Sequence, residues 1–276
     1  MTINCKGKLI DFQRPKIMGI VNLTTDSFYS GSRFADSGEG ILLETVGKML
    51  VDGADFIDIG AYSTRPGADD VPVELEMQRV VAAVSVLCRE FPEVLISVDT
   101  FRAAVADAAI SDGAALINDV TAGLGDSEML AVIAKHQVPY VMMHMRGTPK
   151  TMTQLNQYDD LVGEVLTYFS ERIAAARALG INDLILDPGF GFAKNVDQNF
   201  TMLQRFADFK IAGLPLLAGI SRKSMIYKTL GTTADQALNG TTFLHAFALQ
   251  GGANILRVHD VKEAVEAVSL FEKLQL

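Results

Sequence analysis

Polar side chains stand at the ends of the short, apolar, β-rich runs of this 276-residue chain, where several of them could act on one ligand. The run ends carry Asn22, Asp99, Asn118, Asp119, His144, Asp187, Ser221, Arg222, Lys223, Arg257 and His259. Each alone could cap the following helix or hydrogen-bond within a turn. Capping does not explain the arginine and lysine residues, because the dipole at a helix start disfavours cations. The whole pattern therefore indicates one shared polar site.

The polar residues divide into two chemical sets. The set that can hydrogen-bond to a flat amide or guanidine-like edge comprises Asp99, Asn118 and Asp187. The set that suits a diphosphate comprises Asn22, Arg65, Arg257 and His259. We therefore expect the site to recognise a heterocycle on one side and an anion on the other.

Two glycine-rich loops follow predicted strands, at residues 63–68 and 187–194. The pair Gly189 and Gly191 is a poor dinucleotide-binding motif, because no third glycine opens a helix and the loop does not follow the first strand. We expect the glycines to let Phe190 and Phe192 lie against an aromatic ligand. The alternative for both rings is packing in the core.

Eight β-rich runs alternate with helix-like segments. The runs span residues 16–22, 55–60, 94–99, 114–119, 138–144, 183–187, 214–220 and 254–259. The helical segments, with apolar residues three and four apart, span 38–51, 73–90, 101–111, 127–136, 161–179, 200–209, 234–250 and 261–274. This alternation predicts an α/β fold, a (β/α)8 TIM barrel whose strand ends meet at one face. A short hairpin-like extension over residues 3–12 should cover the bottom, and a doubly wound open sheet is the alternative fold.

Length and composition limit the class of protein. At 29.8 kDa and 49% apolar residues, with no dividing linker, we expect a single domain over residues 1–276. The net charge of −9 argues against nucleic acid as the main partner. The longest apolar stretch, residues 80–88, is too short to span a membrane, and the start of the chain lacks a secretory signal. Cys5 and Cys88 show no metal-like spacing, which favours a reducing cytoplasm and no structural zinc.

Several segments, in order along the chain, resemble the dihydropteroate synthases of folate biosynthesis. The most specific are MGIVNLTTDSF at residues 18–28, STRPGA at 63–68, DPGFGF at 187–192, SRKS at 221–224 and RVHD at 257–260. Shorter matches lie at residues 97–100, 117–120 and 143–145. Members of this family join p-aminobenzoate to 6-hydroxymethyl-7,8-dihydropterin diphosphate and release diphosphate. The resemblance implies the same reaction here.

The resemblance also implies roles for individual residues. Those expected to bind the pterin are Asp99, Asn118, Met143, Asp187 and Lys223. Those expected to frame p-aminobenzoate are Pro66, Phe190, Lys223 and Ser224. Residues expected to take part in catalysis are Asn22, Thr64, Arg65, Lys223, Arg257 and His259. Asn22 would bind Mg²⁺ as the cofactor, and the family implies a homodimer formed by outer helices, with sulfonamides competing for the p-aminobenzoate site.

Some positions depart from the family pattern, all of them in or beside the loops. They are Thr25 in place of proline, Tyr62 in place of glutamate, Ser30 and Ser32 in the first loop, and Ala193 with Asn195 after the sixth strand. None removes an assigned charge. The departures bear on the conformation of these loops.

Two other functions remain as alternatives. A pterin-dependent methyltransferase would share the barrel and the pterin pocket, but it binds no diphosphate, so Arg65, Lys223 and Arg257 argue against it. A non-catalytic pterin-binding module would keep the pocket without turnover. The complete set of expected ligands argues against the module.

Overall fold

The computed structural model describes residues 1–23, 36–62, 70–148 and 151–274. Two short strands, β1 (Thr2–Cys5) and β2 (Lys8–Asp11), form an antiparallel hairpin. The parallel strands that follow are β3 (Lys16–Asn22), β4 (Phe56–Gly60), β5 (Ile96–Asp99), β6 (Leu116–Asp119), β7 (Tyr140–Met143), β8 (Leu184–Asp187), β9 (Leu217–Ala218) and β10 (Ile255–Val258). The predicted runs thus all contain a strand.

The parallel sheet closes on itself, which distinguishes a barrel from an open doubly wound sheet. Its hydrogen-bonded order is β8-β7-β6-β5-β4-β3-β10-β9. The two end strands meet through a parallel bridge between Leu186 and Leu216, and the Leu186 amide donates to the Pro215 carbonyl at 2.9 Å. The predicted (β/α)8 barrel is therefore confirmed.

Helices cover the outside of the barrel. They are α1 (Asp36–Val51), α2 (Val73–Glu90), α3 (Ala103–Ser111), α4 (Met129–His136), α5 (Leu161–Ala178), α6 (Val196–Gln204), α7 (Ser224–Leu230), α8 (Leu238–Gln250) and α9 (Val261–Leu274). The strands are buried on both faces, as in β4 and β8, because one face meets the helices and the other fills the barrel. Among the helices of the described residues, none is both long and apolar enough to cross a lipid bilayer.

Three departures from the predicted elements have a local physical cause. Helix α6 begins at Val196 instead of residue 200, because Asn195 and Gln198 form a capping box with N–O distances of 2.9 and 2.8 Å. Helix α7 was not predicted, since its seven residues are too few to show a clear apolar period. Strand β9 is shorter than predicted, and Pro215 before it has no amide to donate to a ladder.

The hairpin closes the amino-terminal end of the barrel, as predicted. Ile3, Cys5 and Phe12 are buried against the lowest inward residues of the strands, including Phe56 and Leu116. Lys6 Nζ also donates to the Gly113 carbonyl at 2.9 Å. The bottom is thus filled with apolar side chains, and the polar residues lie toward the opposite end.

Buried His245 on α8 makes the stability of the fold depend on pH. Its side chain is 2% exposed, and its Nε2 has no hydrogen-bond partner among the described residues. Burial lowers the pKa of His245 from 6.5 to about 4. The unfolded chain therefore binds the extra proton first, and stability present above pH 6.5 is lost as the pH falls toward 4.

Between pH 7.5 and pH 4.5, the free energy of unfolding should fall by roughly 2–3 kcal/mol less in His245→Leu than in the wild type, because the variant lacks the buried group whose pKa is lowered. Urea unfolding of both proteins at the two pH values measures it. An equal loss of unfolding free energy in the wild type and the variant would contradict the assignment.

Candidate active site

A cavity of about 410 Å³ opens at the carboxyl ends of the barrel strands. The residues from the expected site that line it are Asn22, Asp99, Asn118, Met143, Asp187, Lys223, Ser224, Arg257 and His259. They come from distant parts of the chain, and each stands at or just beyond the end of its strand or at the start of α7. Thr64, Arg65 and Pro66 lie outside the described residues, as do Thr25, Ser30 and Ser32.

An ion-pair network forms one wall of the cavity. Arg257 Nε donates to Asp58 Oδ2 at 2.6 Å, and Arg257 Nη2 donates to Asp99 Oδ2 at 2.7 Å. Asn118 Nδ2 also donates to Asp58 Oδ2, at 3.2 Å. One guanidinium therefore holds two carboxylates that come from neighbouring strands, β4 and β5.

Asp58 is a residue of the site that the sequence analysis missed. It is fully buried, and its Oδ1 has no hydrogen-bond partner among the described residues. It lies in the middle of β4, not at the strand end, so the search for polar strand ends passed over it. The available signal was a lone carboxylate inside an otherwise apolar buried strand, because burying such a charge is costly unless it is paired.

Burial and the charges of this network shift the pKa values of Asp99 and Arg257. Burial raises the pKa of Asp99 to about 7, although the nearby Arg257 guanidinium opposes this shift. Burial alone would lower the pKa of Arg257, but the carboxylates of Asp58 and Asp99 raise it above its ordinary value. Arg257 therefore stays charged, and its Nη1 has no hydrogen-bond partner among the residues that the structure describes.

Asp187 and Lys223 both line the cavity, and the charge of each shifts the pKa of the other. Asp187 Oδ1 accepts a hydrogen bond from the Gly189 amide at 2.8 Å. Burial raises the pKa of Asp187, and the positive charge of Lys223 opposes the rise. Burial lowers the pKa of Lys223 to about 8, and Asp187 opposes that shift in turn. Lys223 Nζ donates to the Phe190 carbonyl and lies 4.6 Å from the centre of the Phe192 ring.

The ring that lines the cavity is Phe192, and the placement expected for Phe190 is wrong. Phe190 is fully buried in the core, where its ring stacks on Phe206 with centroids 6.0 Å apart. The tight turn of residues 189–192 directs the side chains of Phe190 and Phe192 to different sides of the loop. Gly189, at φ +76°, permits this turn, since a Cβ there would lie 2.0 Å from the His144 carbonyl oxygen.

Hydrogen bonds and an ion pair connect the loops after β9 and β10 at the other side of the cavity. Ser221 Oγ lies 3.0 Å from His259 Nδ1 and accepts from the His259 amide at 3.2 Å. Arg222 pairs with Asp260 through two hydrogen bonds of 2.8 and 2.7 Å. Because β10 pairs with β3, this polar corner lies beside the strand end that carries Asn22.

Two of the polar strand ends do not reach the cavity. Asp119 accepts hydrogen bonds from the Thr121 amide and hydroxyl, the Gly123 amide and the Tyr140 hydroxyl, at 2.6–2.7 Å. His144 is buried beside Lys194. For Asp119 the turn-forming alternative is correct, because its carboxylate accepts from the amides of the turn that follows it. His144 forms no such turn, and its side chain meets Lys194, 50 residues further along the chain.

A model of the family described as "Pterin binding enzyme" matches residues 18–259. The chain is 42% identical over 274 residues to the dihydropteroate synthase of Escherichia coli (strain K12), an alignment that covers 99% of this chain and 96% of that protein. Among solved structures, the Yersinia pestis dihydropteroate synthase with a sulfonamide drug complex superimposes with a TM-score of 0.92 at 40% identity, covering 100% of this chain and 99% of that one.

A second solved structure, the Xanthomonas albilineans dihydropteroate synthase with 4-aminobenzoic acid, has a TM-score of 0.89 at 39% identity. It covers 99% of this chain and 98% of that chain. Family model, sequence relatives and structures agree over nearly the whole length. The chain therefore belongs to the pterin-binding enzymes and, within them, to the dihydropteroate synthases.

Proposed function

We propose that this protein joins p-aminobenzoate to the methylene carbon of 6-hydroxymethyl-7,8-dihydropterin diphosphate, releasing diphosphate and forming 7,8-dihydropteroate. The observation that carries the proposal is one cavity in which buried carboxylates and an amide face cationic groups. Substrates that combine a polar heterocycle with a diphosphate need both kinds of group in one place.

The pterin end of the substrate fits the buried acceptors. Asp99, Asn118 and Asp187 present carboxylate and amide groups that can hydrogen-bond to the guanidine-like edge of the ring. Met143 lies in a small apolar cluster beside them and offers a surface for the ring face. The carboxylates also stabilise the positive charge that grows on the pterin methylene as the carbon–oxygen bond breaks.

The difficult step is the departure of diphosphate, because the amine of p-aminobenzoate is neutral and already has a usable lone pair. Arg257 Nη1 and His259 lie where they can stabilise the negative charge that develops on the leaving oxygen. Arg65 would add a second cation. We keep Thr64 and Arg65 as proposed catalytic residues on the second loop.

Mg²⁺ is the proposed cofactor, bound through Asn22. The donor set fits, because Mg²⁺ commonly takes one or two oxygen ligands from protein and the rest from phosphate and water. Asn22 contributes an amide oxygen at the cavity, and the described part of the chain contains no cluster of three or more His, Cys, Asp or Glu that could hold a metal alone. When bound, the ion would neutralise charge on the diphosphate.

p-Aminobenzoate is proposed to lie between Phe192, the stem of Lys223 and Pro66, with Ser224 at the start of α7 near its carboxylate. A flat aromatic ring fits beside Phe192. Sulfonamides share this shape and charge, and we propose that they compete for the same place. Phe192 thus takes the role first expected of Phe190.

The test is diphosphate release from the purified protein supplied with pterin diphosphate, Mg²⁺ and p-aminobenzoate, and with each omitted in turn. Release that needs all three, with dihydropteroate formed in equal amount, supports the proposal. Tight pterin binding without release would favour the non-catalytic module. Methyl transfer from methyltetrahydrofolate, with no use of the diphosphate, would favour the methyltransferase.

We further propose a cytoplasmic homodimer whose 276 residues form one domain per subunit. Exposed apolar side chains gather on α7 and α8, where Leu230, Phe243 and Phe247 are 58%, 63% and 47% exposed. The rings of Phe243 and Phe247 lie 5.1 Å apart on one helical face. Such a patch favours burial against a second copy.

Phe243→Glu is expected to convert the dimer to a monomer, because it places a charge in the apolar contact. Sedimentation velocity should show the mass fall from twice 29.8 kDa to 29.8 kDa. Leu270→Glu, at an exposed apolar residue of α9, is the matched control and should leave the dimer intact. A monomeric wild type, or equal dissociation by both variants, would reject this interface.

A further inference from the structure

Lys194 is a buried lysine that faces the loop after β8 and not the cavity. It is 9% exposed, and its ammonium group meets three acceptors. Nζ donates to the Gly189 carbonyl at 3.0 Å and to the Phe192 carbonyl at 3.1 Å. It lies 3.0 Å from His144 Nδ1. These three acceptors match the three N–H donors that Lys194 has when it is protonated. Burial lowers the pKa of Lys194 to about 7.

The histidine partner is suited to accept this hydrogen bond. Burial, together with the charges of Lys194 and Arg146, lowers the pKa of His144 to about 2. The ring is therefore neutral and can present a lone pair at Nδ1. The ring is also held in place, because the Tyr168 ring meets it edge-on at 4.9 Å.

The two carbonyls that Lys194 binds lie at either end of a four-residue turn. The Phe192 amide donates to the Gly189 carbonyl at 3.2 Å, and Lys194 bonds to both Gly189 and Phe192. The next residue, Ala193, has φ +48°, a left-handed conformation that is unfavourable for a residue with a side chain. A strained turn of this kind persists only when its surroundings hold it. Lys194 binds the carbonyls at both ends of the turn, while Asn199 accepts from the Gly191 amide at 2.6 Å and Tyr158 donates to the Ala193 carbonyl at 2.9 Å.

This turn decides where Phe192 points. Its ring lines the cavity with Lys223 Nζ 4.6 Å from its centre, and the preceding Phe190 points into the core. Without Lys194, the turn would lose the two hydrogen bonds that join its ends, at the Gly189 and Phe192 carbonyls. The wall of the proposed p-aminobenzoate site would then lose its fixed position.

We propose that Lys194 is a positioning residue for p-aminobenzoate, which acts by holding the turn of residues 189–192 so that Phe192 forms a rigid wall. This inference rests on the proposed function. It concerns a side chain outside the cavity lining, and the pterin acceptors on β5 and β6 do not depend on it.

Lys194→Met keeps the length and apolar stem of the side chain and removes its donors. We expect the KM for p-aminobenzoate to rise about 10- to 100-fold, since the hydrogen bonds from Lys194 to the two ends of the turn are lost. The KM for pterin diphosphate should rise less than the KM for p-aminobenzoate. Asp99 and Asn118 keep their contacts, and only Asp187 touches the turn, through its hydrogen bond from the Gly189 amide. Lys135→Met, at an exposed lysine of α4, is the control and should change neither value.

A double-mutant cycle separates positioning from general stability. If Lys194 acts through Phe192, the effects of Lys194→Met and Phe192→Ala on the KM for p-aminobenzoate should be far from additive. Additive effects, equal rises in both KM values, or no change in either would each overturn the proposal.

Amide hydrogen exchange gives a readout that does not need turnover. The amides of residues 189–193 should exchange faster in Lys194→Met than in the wild type, with α3 and α4 unchanged. Failure of the wild type to make dihydropteroate would reject the proposed function alone. Unchanged exchange in the loop would reject the role of Lys194 whatever the reaction. Lys194→Gln retains N–H donors and should keep both the loop exchange and the KM for p-aminobenzoate closer to the wild type than Lys194→Met does. Equal effects of the two substitutions would overturn the proposal.

Discussion

Arg257→Ala is expected to slow turnover about 10²–10³-fold, equivalent to roughly 3–4 kcal/mol, by analogy with the loss of one donor to a developing anion. The idea that Arg257 is merely a solvated surface charge predicts a near-normal rate. The structure gives the residue two tasks. It offers Nη1 to the cavity while Nε and Nη2 hold Asp58 and Asp99.

The second task predicts a change in the pH dependence of the variant. Arg257 opposes the burial that raises the pKa of Asp99 to about 7, so its removal raises that pKa further. Asp99 in the variant is then protonated over a wider range and loses its charge toward the pterin. The remaining activity of Arg257→Ala should therefore rise between pH 7 and pH 9 more steeply than that of the wild type.

Steady-state rates with both substrates across this pH range measure the two effects. Arg257→Lys should recover little activity, because one ammonium group lacks the fork that bridges two carboxylates. Arg205→Ala, which removes an exposed ion pair of 2.8 Å with Asp208, is the matched control and should retain wild-type turnover. Turnover within threefold of the wild type in Arg257→Ala would reject its role.

Much of the fold could be predicted from the sequence, because the signals are local and repeated. Each parallel strand is covered on both faces, so it reads as an apolar run, and its polar end marks the cavity face. Asp187 and Asn118 were found in this way. The start of α6 was missed because the decisive signal was a cap at Asn195 and not an apolar period.

The misplacement of Phe190 has a different cause. Phe190 and Phe192 have the same chemistry and flank the same glycine, so composition alone does not separate them. The direction of each ring depends on the turn, and that turn depends on Lys194 and His144, a pair 50 residues apart. The role of Asp58 could likewise not be predicted from local sequence, because its partner Arg257 lies 199 residues away along the chain. Long-range partners decide such details.

Asp187→Asn is expected to lower kcat/KM about 10²–10³-fold, roughly 3–4 kcal/mol, since the proposed hydrogen bonds from the pterin edge to this carboxylate lose their charge assistance. The variant keeps the shape of the side chain and an oxygen that can still accept from the Gly189 amide. The loss should therefore reflect charge more than folding. We expect the KM for pterin diphosphate to rise and kcat to fall.

The same substitution should move the basic limb of the pH profile. Asp187 opposes the burial that lowers the pKa of Lys223 to about 8, so without its charge the pKa of Lys223 falls further. If the ammonium form of Lys223 is the active one, activity in Asp187→Asn declines at a lower pH than in the wild type. Asp183→Asn, at the opposite end of the same strand, is the control. If the basic limb lies at the same pH in Asp187→Asn and in the wild type, the Asp187 carboxylate does not raise the pKa of Lys223. That result would contradict the proposed electrostatic coupling between the two residues.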